Sequence, residues 1–127
     1  MKIKTHVTTR LAAFDHIVMW GAGGLGQTAW SQWLPKGQIE AVVDTFVPSG
    51  SIFTAGLLVE SPDDVDWTQV DSVVICVSAH TEVHKQLSDL GFTGVSFYIY
   101  ELFVLLSCFS FSFSPKGCFG DRKKQTF

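Results

Sequence analysis

The chain has 127 residues, room for one domain of ordinary size and not for a nucleotide site plus a separate catalytic domain. At 46% hydrophobic and 17% charged it has the composition of a folded globule, which excludes the disordered and fibrous classes. The net charge of −3 is uneven: residues 1–101 hold 5 Lys/Arg against 11 Asp/Glu, whereas residues 102–127 hold 4 against 1. So acidic a body is unsuited to nucleic acid, whose phosphates need a basic face.

Lys4–Ala13 spaces Val7 and Leu11, with Phe14 beyond, as a short leading helix. His16–Trp20 is an unbroken apolar run ending at a glycine cluster, which predicts a parallel strand covered on both faces. Leu25, Ala29 and Trp33, with Trp30 and Leu34 beside them, form one helical stripe that Pro35-Lys36-Gly37 stops. Glu40–Val43 is a second strand ending at Asp44, and Leu57–Val59 a third, after a turn-rich stretch containing Pro48-Ser49-Gly50 and Gly56. Ser61-Pro62-Asp63-Asp64 reads as a short helix start, with Ser61 as N-cap, Pro62 in first position and Asp64 completing a capping box. Ser72–Val77 is a central strand, Thr81–Leu90 a helix with Val83, Leu87 and Leu90 inward and Gly91 as its stop, and Val95–Ile99 a fifth strand. This alternation predicts an α/β domain over 1–101: a three-layer, Rossmann-like parallel sheet of order 3-2-1-4-5.

Residues 102–127 change character. Phe and Ser alternate strictly from Phe109 to Ser114, and the basic Arg122-Lys123-Lys124 follows. Period-two alternation fits an edge strand, and the same composition fits a non-core end that carries no function. Leu102–Phe113, the longest apolar run, has 12 residues and falls short of the ~20 a spanning helix needs, so no membrane span is expected. The polar stretch Thr5–Arg10 is wrong for an export signal. Cys76, Cys108 and Cys118 are an odd number without CxxC spacing, which indicates neither a disulfide framework nor a zinc knuckle and suits a reducing cytoplasm.

The motif that carries chemistry is Gly21-Ala22-Gly23-Gly24-Leu25-Gly26, a G-x-G-x-x-G between a strand and a helix. In that setting Gly21 makes the tight turn, Gly23 admits a pyrophosphate to the backbone and Gly26 lets helix pack on strand. The helix N-terminus then offers unpaired N–H groups and partial positive charge to phosphates. Asp44 follows Gly26 by 18 residues at the end of the second strand, placed to accept hydrogen bonds from ribose hydroxyls and to repel a 2′-phosphate. Ser78 and His80, beyond the fourth strand, lie at the same carboxyl edge and are candidates for ribose or substrate contact. In the plainer reading Ser78 or Thr81 caps the helix and His80 is solvated. Cys76, His80 and His84 have metal-compatible spacing but no obvious acidic partner, and no metal is assigned; the aspartates at 63, 64, 66 and 71 lack a calcium-loop pattern. There is no GxSxG elbow, HExxH or P-loop lysine to mark a reaction, and no Tyr-x-x-x-Lys pair.

Over about residues 15–100, Ile17–Gly26, Ala41–Asp44, Gly56–Val59, Ser61–Val65 and Asp71–Ile75 together give the chain a likeness. It resembles the Rossmann-like N-terminal domain of bacterial sugar acyltransferases of the sialic-acid and bacillosamine type. The same module is similar to nucleotide-binding pieces of nucleotide-sugar epimerases/dehydratases and to accessory domains of saccharide methyltransferases. The resemblance implies Gly21, Gly23 and Gly26 in a phosphate turn and Asp44 at the ribose or sugar-nucleotide end. Thr45-Phe46-Val47-Pro48 departs from the acidic or Asn-Pro turn usual there, and no hexapeptide-repeat transferase half follows Glu101.

The expectation is thus a cytoplasmic binding module for a small-molecule nucleotide, NAD(H) or a UDP-sugar, serving polysaccharide or glycan biosynthesis alone, as a homo-oligomer or with a partner domain. A ligand-free assembly domain and a small NAD-dependent oxidoreductase are the alternatives.

Overall fold

A computed structural model describes residues 3–54 and 56–103. Helix α1 (Ile3–Leu11) leads into strand β1 (Ile17–Trp20), helix α2 (Gly24–Gln32) and strand β2 (Ile39–Val43). A hairpin of β3 (Ile52–Thr54) and β4 (Leu57–Glu60) follows, then β5 (Ser72–Ile75), α3 (His80–Asp89) and β6 (Val95–Tyr98). Every residue of β1 and β5 is buried, as the central strands of a doubly covered sheet must be; all are apolar except Ser72 at the start of β5.

The six strands form one mixed sheet in the order β3-β4-β2-β1-β5-β6, which corrects the expected five-strand, all-parallel order 3-2-1-4-5. The difference is β3, which pairs antiparallel with β4, while all other neighbours are parallel. Ile52-Phe53-Thr54 has the β-branched and aromatic character of a strand but sits in a stretch dense with turn residues. The chain reverses beside Gly56, whose φ of +83° suits glycine. Phe53 anchors this edge, buried with its ring edge-on to Trp30 at 5.5 Å.

Alternate strand residues feed two cores. One joins Ile17, Met19, Val42 and Val74 to Val7 and Leu11 of α1 and Ala29 of α2. The other joins Val18, Trp20, Val43 and Ile75 to Val83 and Leu87 of α3 and to Trp67. The indole of Trp67 stacks on Trp20 (5.9 Å, 28°) and donates to the Pro62 carbonyl at 2.8 Å. The expected helix after Ser61 is instead two 3-10 turns, Pro62–Asp64 and Trp67–Gln69. Ser61 caps the first through the N–H of Asp63, and Asp66 caps the second through that of Thr68. Asp71 accepts from the N–H groups of Asp15 and His16, both at 2.9 Å, and so ties the entry of β1 to that of β5.

The final 3-10 turn, Ile99–Phe103, packs on the α1 side, with Leu102 buried and Phe103 edge-on to Trp33 at 4.8 Å. The core therefore continues across the 101/102 boundary. The expectations for Phe109–Ser114, the basic end, Cys108 and Cys118 lie outside the described residues. No helix among the described residues is long and apolar enough to cross a membrane.

Candidate functional site

The carboxyl ends of β1, β2 and β5 open onto a cavity of about 570 Å³. Gly23, Gly24 and Leu25 form one wall; Asp44–Val47 and Cys76–Ala79 form others, and Glu82, Val83 and Gln86 of α3 close it. A second cavity of about 490 Å³ shares Asp44, Thr45, Val47 and Gln86 and runs on toward Ser61–Asp63, so the two form one groove along this edge.

The glycine turn divides into two kinds of position. Gly21 has φ +126°, and a β-carbon there would meet the Cys76 carbonyl oxygen at 2.6 Å; its N–H donates to the Val43 carbonyl at 2.8 Å. A β-carbon on Gly26 would lie 1.9 Å from the Gly21 carbonyl oxygen. Both glycines are imposed by close approach of backbone to backbone. Gly23 and Gly24 are different: both are exposed, and a β-carbon on either has no neighbour within 4 Å. Gly23 is the N-cap of α2, has ordinary extended backbone and makes no side-chain cap, and the first turn of α2 holds no acid. The N-terminus of α2 therefore opens on the cavity with no acid in its own first turn, an arrangement in which helix N-termini take anions.

Asp44 lies where expected, but its carboxylate is engaged with backbone. Oδ2 accepts from the N–H of Ala22 at 2.8 Å, and Oδ1 accepts from those of Phe46 (2.7 Å) and Val47 (3.0 Å). It is 8% exposed. A carboxylate has about four acceptor sites, so three bonds leave room for roughly one more and not for the expected pair from adjacent ribose hydroxyls. Ala22, whose N–H is taken by Asp44, presents no free donor to a ligand. Asp44 instead pins the glycine turn to the Thr45–Val47 turn and fixes both cavity walls. Phe46, 94% exposed, stands at the rim.

The other candidates separate. Ser78 lines the cavity, and the N-cap of α3 is Ala79 with no side-chain cap, so neither Ser78 nor Thr81 caps that helix. His80 is not among the lining residues; its ring stacks on Tyr98 (4.0 Å, 12°). His84 hydrogen-bonds through Nδ1 to Ser96 Oγ, and burial lowers its imidazole below the usual range, with Glu101 opposing and His80 adding to the effect. The Cys76 thiol, buried at the cavity floor, is pushed up to about 12 by burial and stays protonated. Among the described residues no three His, Cys, Asp or Glu side chains converge on a metal-binding point. Sequence reasoning missed Glu82 and Gln86, whose signal was their place in the first two turns of a helix that starts at the carboxyl edge. In comparisons with known proteins the chain matches no family model and no curated protein.

Proposed function

We propose that this chain is a Rossmann-like nucleotide-binding module that seats the phosphates of NAD(H) or a nucleotide sugar on the N-terminus of α2. The observation that carries the reading is the open half of the glycine turn. A β-carbon on Gly23 or Gly24 would have no described neighbour within 4 Å, so the N-cap and the first residue of α2 both leave open backbone at the mouth of the cavity. What benefits from the missing side chains is a group that approaches from the cavity, and the uncapped helix end suits that group being anionic. On this reading the module serves glycan or polysaccharide biosynthesis, a role proposed from the resemblance of residues 15–100 to the N-terminal domain of sugar acyltransferases.

The role proposed is binding, and among the described residues lining the cavity no two side chains are hydrogen-bonded as a nucleophile and its base. Asp44 organises the walls by holding backbone. Calorimetric titration with NAD, NADP, UDP-sugars, acetyl-CoA and S-adenosylmethionine tests the reading. One-site binding of NAD or a UDP-sugar is expected, and saturation by neither overturns it.

A further inference from the structure

Two helices present their N-termini to the cavity, and they are furnished in opposite ways. The first turn of α2 holds no acid, whereas that of α3 holds Glu82, a cavity-lining residue. Among the described residues Glu82 has neither a hydrogen-bond nor an ion-pair partner. Among the described residues, the charged ones lining this cavity are Asp44 and Glu82, the adjoining cavity adds Asp63 and Asp89, and neither lining includes a Lys, Arg or His. The groove thus accepts negative charge at one point, the α2 end, and opposes it elsewhere.

We infer that Glu82 sets the charge preference for the group a ligand carries beside its phosphates: a nucleoside diphosphate ending in a neutral or cationic group binds more tightly than one ending in an anion. The inference rests on the nucleotide-binding reading and names its substrate class. The physical cause is Coulombic. Asp44 directs its oxygens at three backbone N–H groups, which partly offset its charge, while Glu82, an exposed residue lining the cavity, has no such donor among the described residues. In a solvated groove, one unit charge at about 6 Å alters binding about three- to tenfold, and added salt screens the effect. Two ligand sources share this chemistry. A dinucleotide has it in the pyridinium of NAD⁺, which is neutral in NADH, and a nucleotide sugar has it in an amino sugar as opposed to a uronic acid.

The test titrates the full chain, Glu82→Gln, Glu82→Asp and Gly23→Ala with NAD⁺ and NADH, and separately with UDP-glucosamine, UDP-glucose and UDP-glucuronate. In whichever arm binds, the more positive ligand is expected to bind about three- to tenfold more tightly per unit charge, with the spread shrinking between 20 and 300 mM salt. Glu82→Gln should bring the spread within about twofold while retaining the binding of the uncharged ligand, and Glu82→Asp should restore most of it. A merely structural Glu82 in the first turn of α3 would shift all ligands alike. A wild-type spread that is absent, or that survives unchanged in Glu82→Gln, overturns the inference and leaves the nucleotide reading intact. If the full chain binds no member of either arm, the nucleotide reading fails and the inference with it. Gly23→Ala should weaken every member equally and leave the ratios in place; unaltered affinities there would overturn the phosphate turn alone.

Discussion

Within six residues, the glycine turn joins two regions that obey different constraints. Gly21 and Gly26 are fixed from inside, one by φ +126° and the Cys76 carbonyl, the other by the Gly21 carbonyl 1.9 Å from where its β-carbon would be. Between them, a β-carbon on Gly23 or Gly24 would have no described neighbour within 4 Å. The outer pair holds the β1–α2 junction closed, whereas the inner pair only leaves space. One motif therefore contains both a folding requirement and a binding feature, and substitution separates them.

The harshest break is Gly26→Ala. The new methyl group overlaps a backbone oxygen that cannot swing away as a side chain would, so α2 must part from β1. Loss of a cooperative thermal transition, or destabilisation above about 4 kcal/mol, is expected in calorimetric or circular-dichroism melts. A near-normal melt would show that the turn is much looser than its contacts imply.

Asp44→Ala comes next, because it strips the acceptor from three N–H groups, of which that of Ala22 is buried. Unmet buried donors cost about 1–3 kcal/mol each, so a loss of about 2–4 kcal/mol is expected from urea unfolding. Asp44→Asn keeps one acceptor oxygen and should lose roughly half as much. If Asp44→Ala unfolds like wild type and only ligand affinity falls, the carboxylate serves the ligand rather than the turn.

Cys76 sharpens the contrast from beneath, since its carbonyl oxygen presses on Gly21 and its thiol lies in the core. With its proton held up to about 12, against an ordinary 9.0, site-resolved mass spectrometry should find Cys76 unalkylated by iodoacetamide at pH 8 in the native protein. Gly21→Ala should expose it to alkylation. The same shift makes the folded state retain a proton that the unfolded chain releases near pH 9. This contribution to stability is intact below pH 9 and declines as pH rises toward 12. A stability that rises across that window would contradict the burial of the thiol.

What could be read in advance followed from local pattern. Ile17–Trp20 is apolar at every position and Ser72–Ile75 at all but its first, and only a strand covered on both sides can bury both parities. The glycine turn carries its spacing in the sequence. Strand β3 was hidden because three strand-forming residues among Pro, Ser and Gly give too short a signal, and their pairing with β4 depends on a reversal at Gly56. The place of Asp44 was legible, but its partners were not. They depend on how the chain turns over Thr45–Val47, which brings two N–H groups back onto the carboxylate. His80 is drawn onto Tyr98 by the register of β6, and Glu82 faces the cavity because of the rotation of α3. Neither is a property of a local segment.

The distinction between the inner and outer glycines is decided most directly by Gly23→Ala. Melting and calorimetric titration with NAD and a UDP-sugar would be run beside wild type. The methyl group enters open space, so stability should stay within about 1 kcal/mol, while affinity for the ligand that wild type binds should fall at least about tenfold, equivalent to ~1.4 kcal/mol. An alanine at position 23 that leaves both stability and affinity unchanged would contradict the assignment of the open half of the turn to a phosphate.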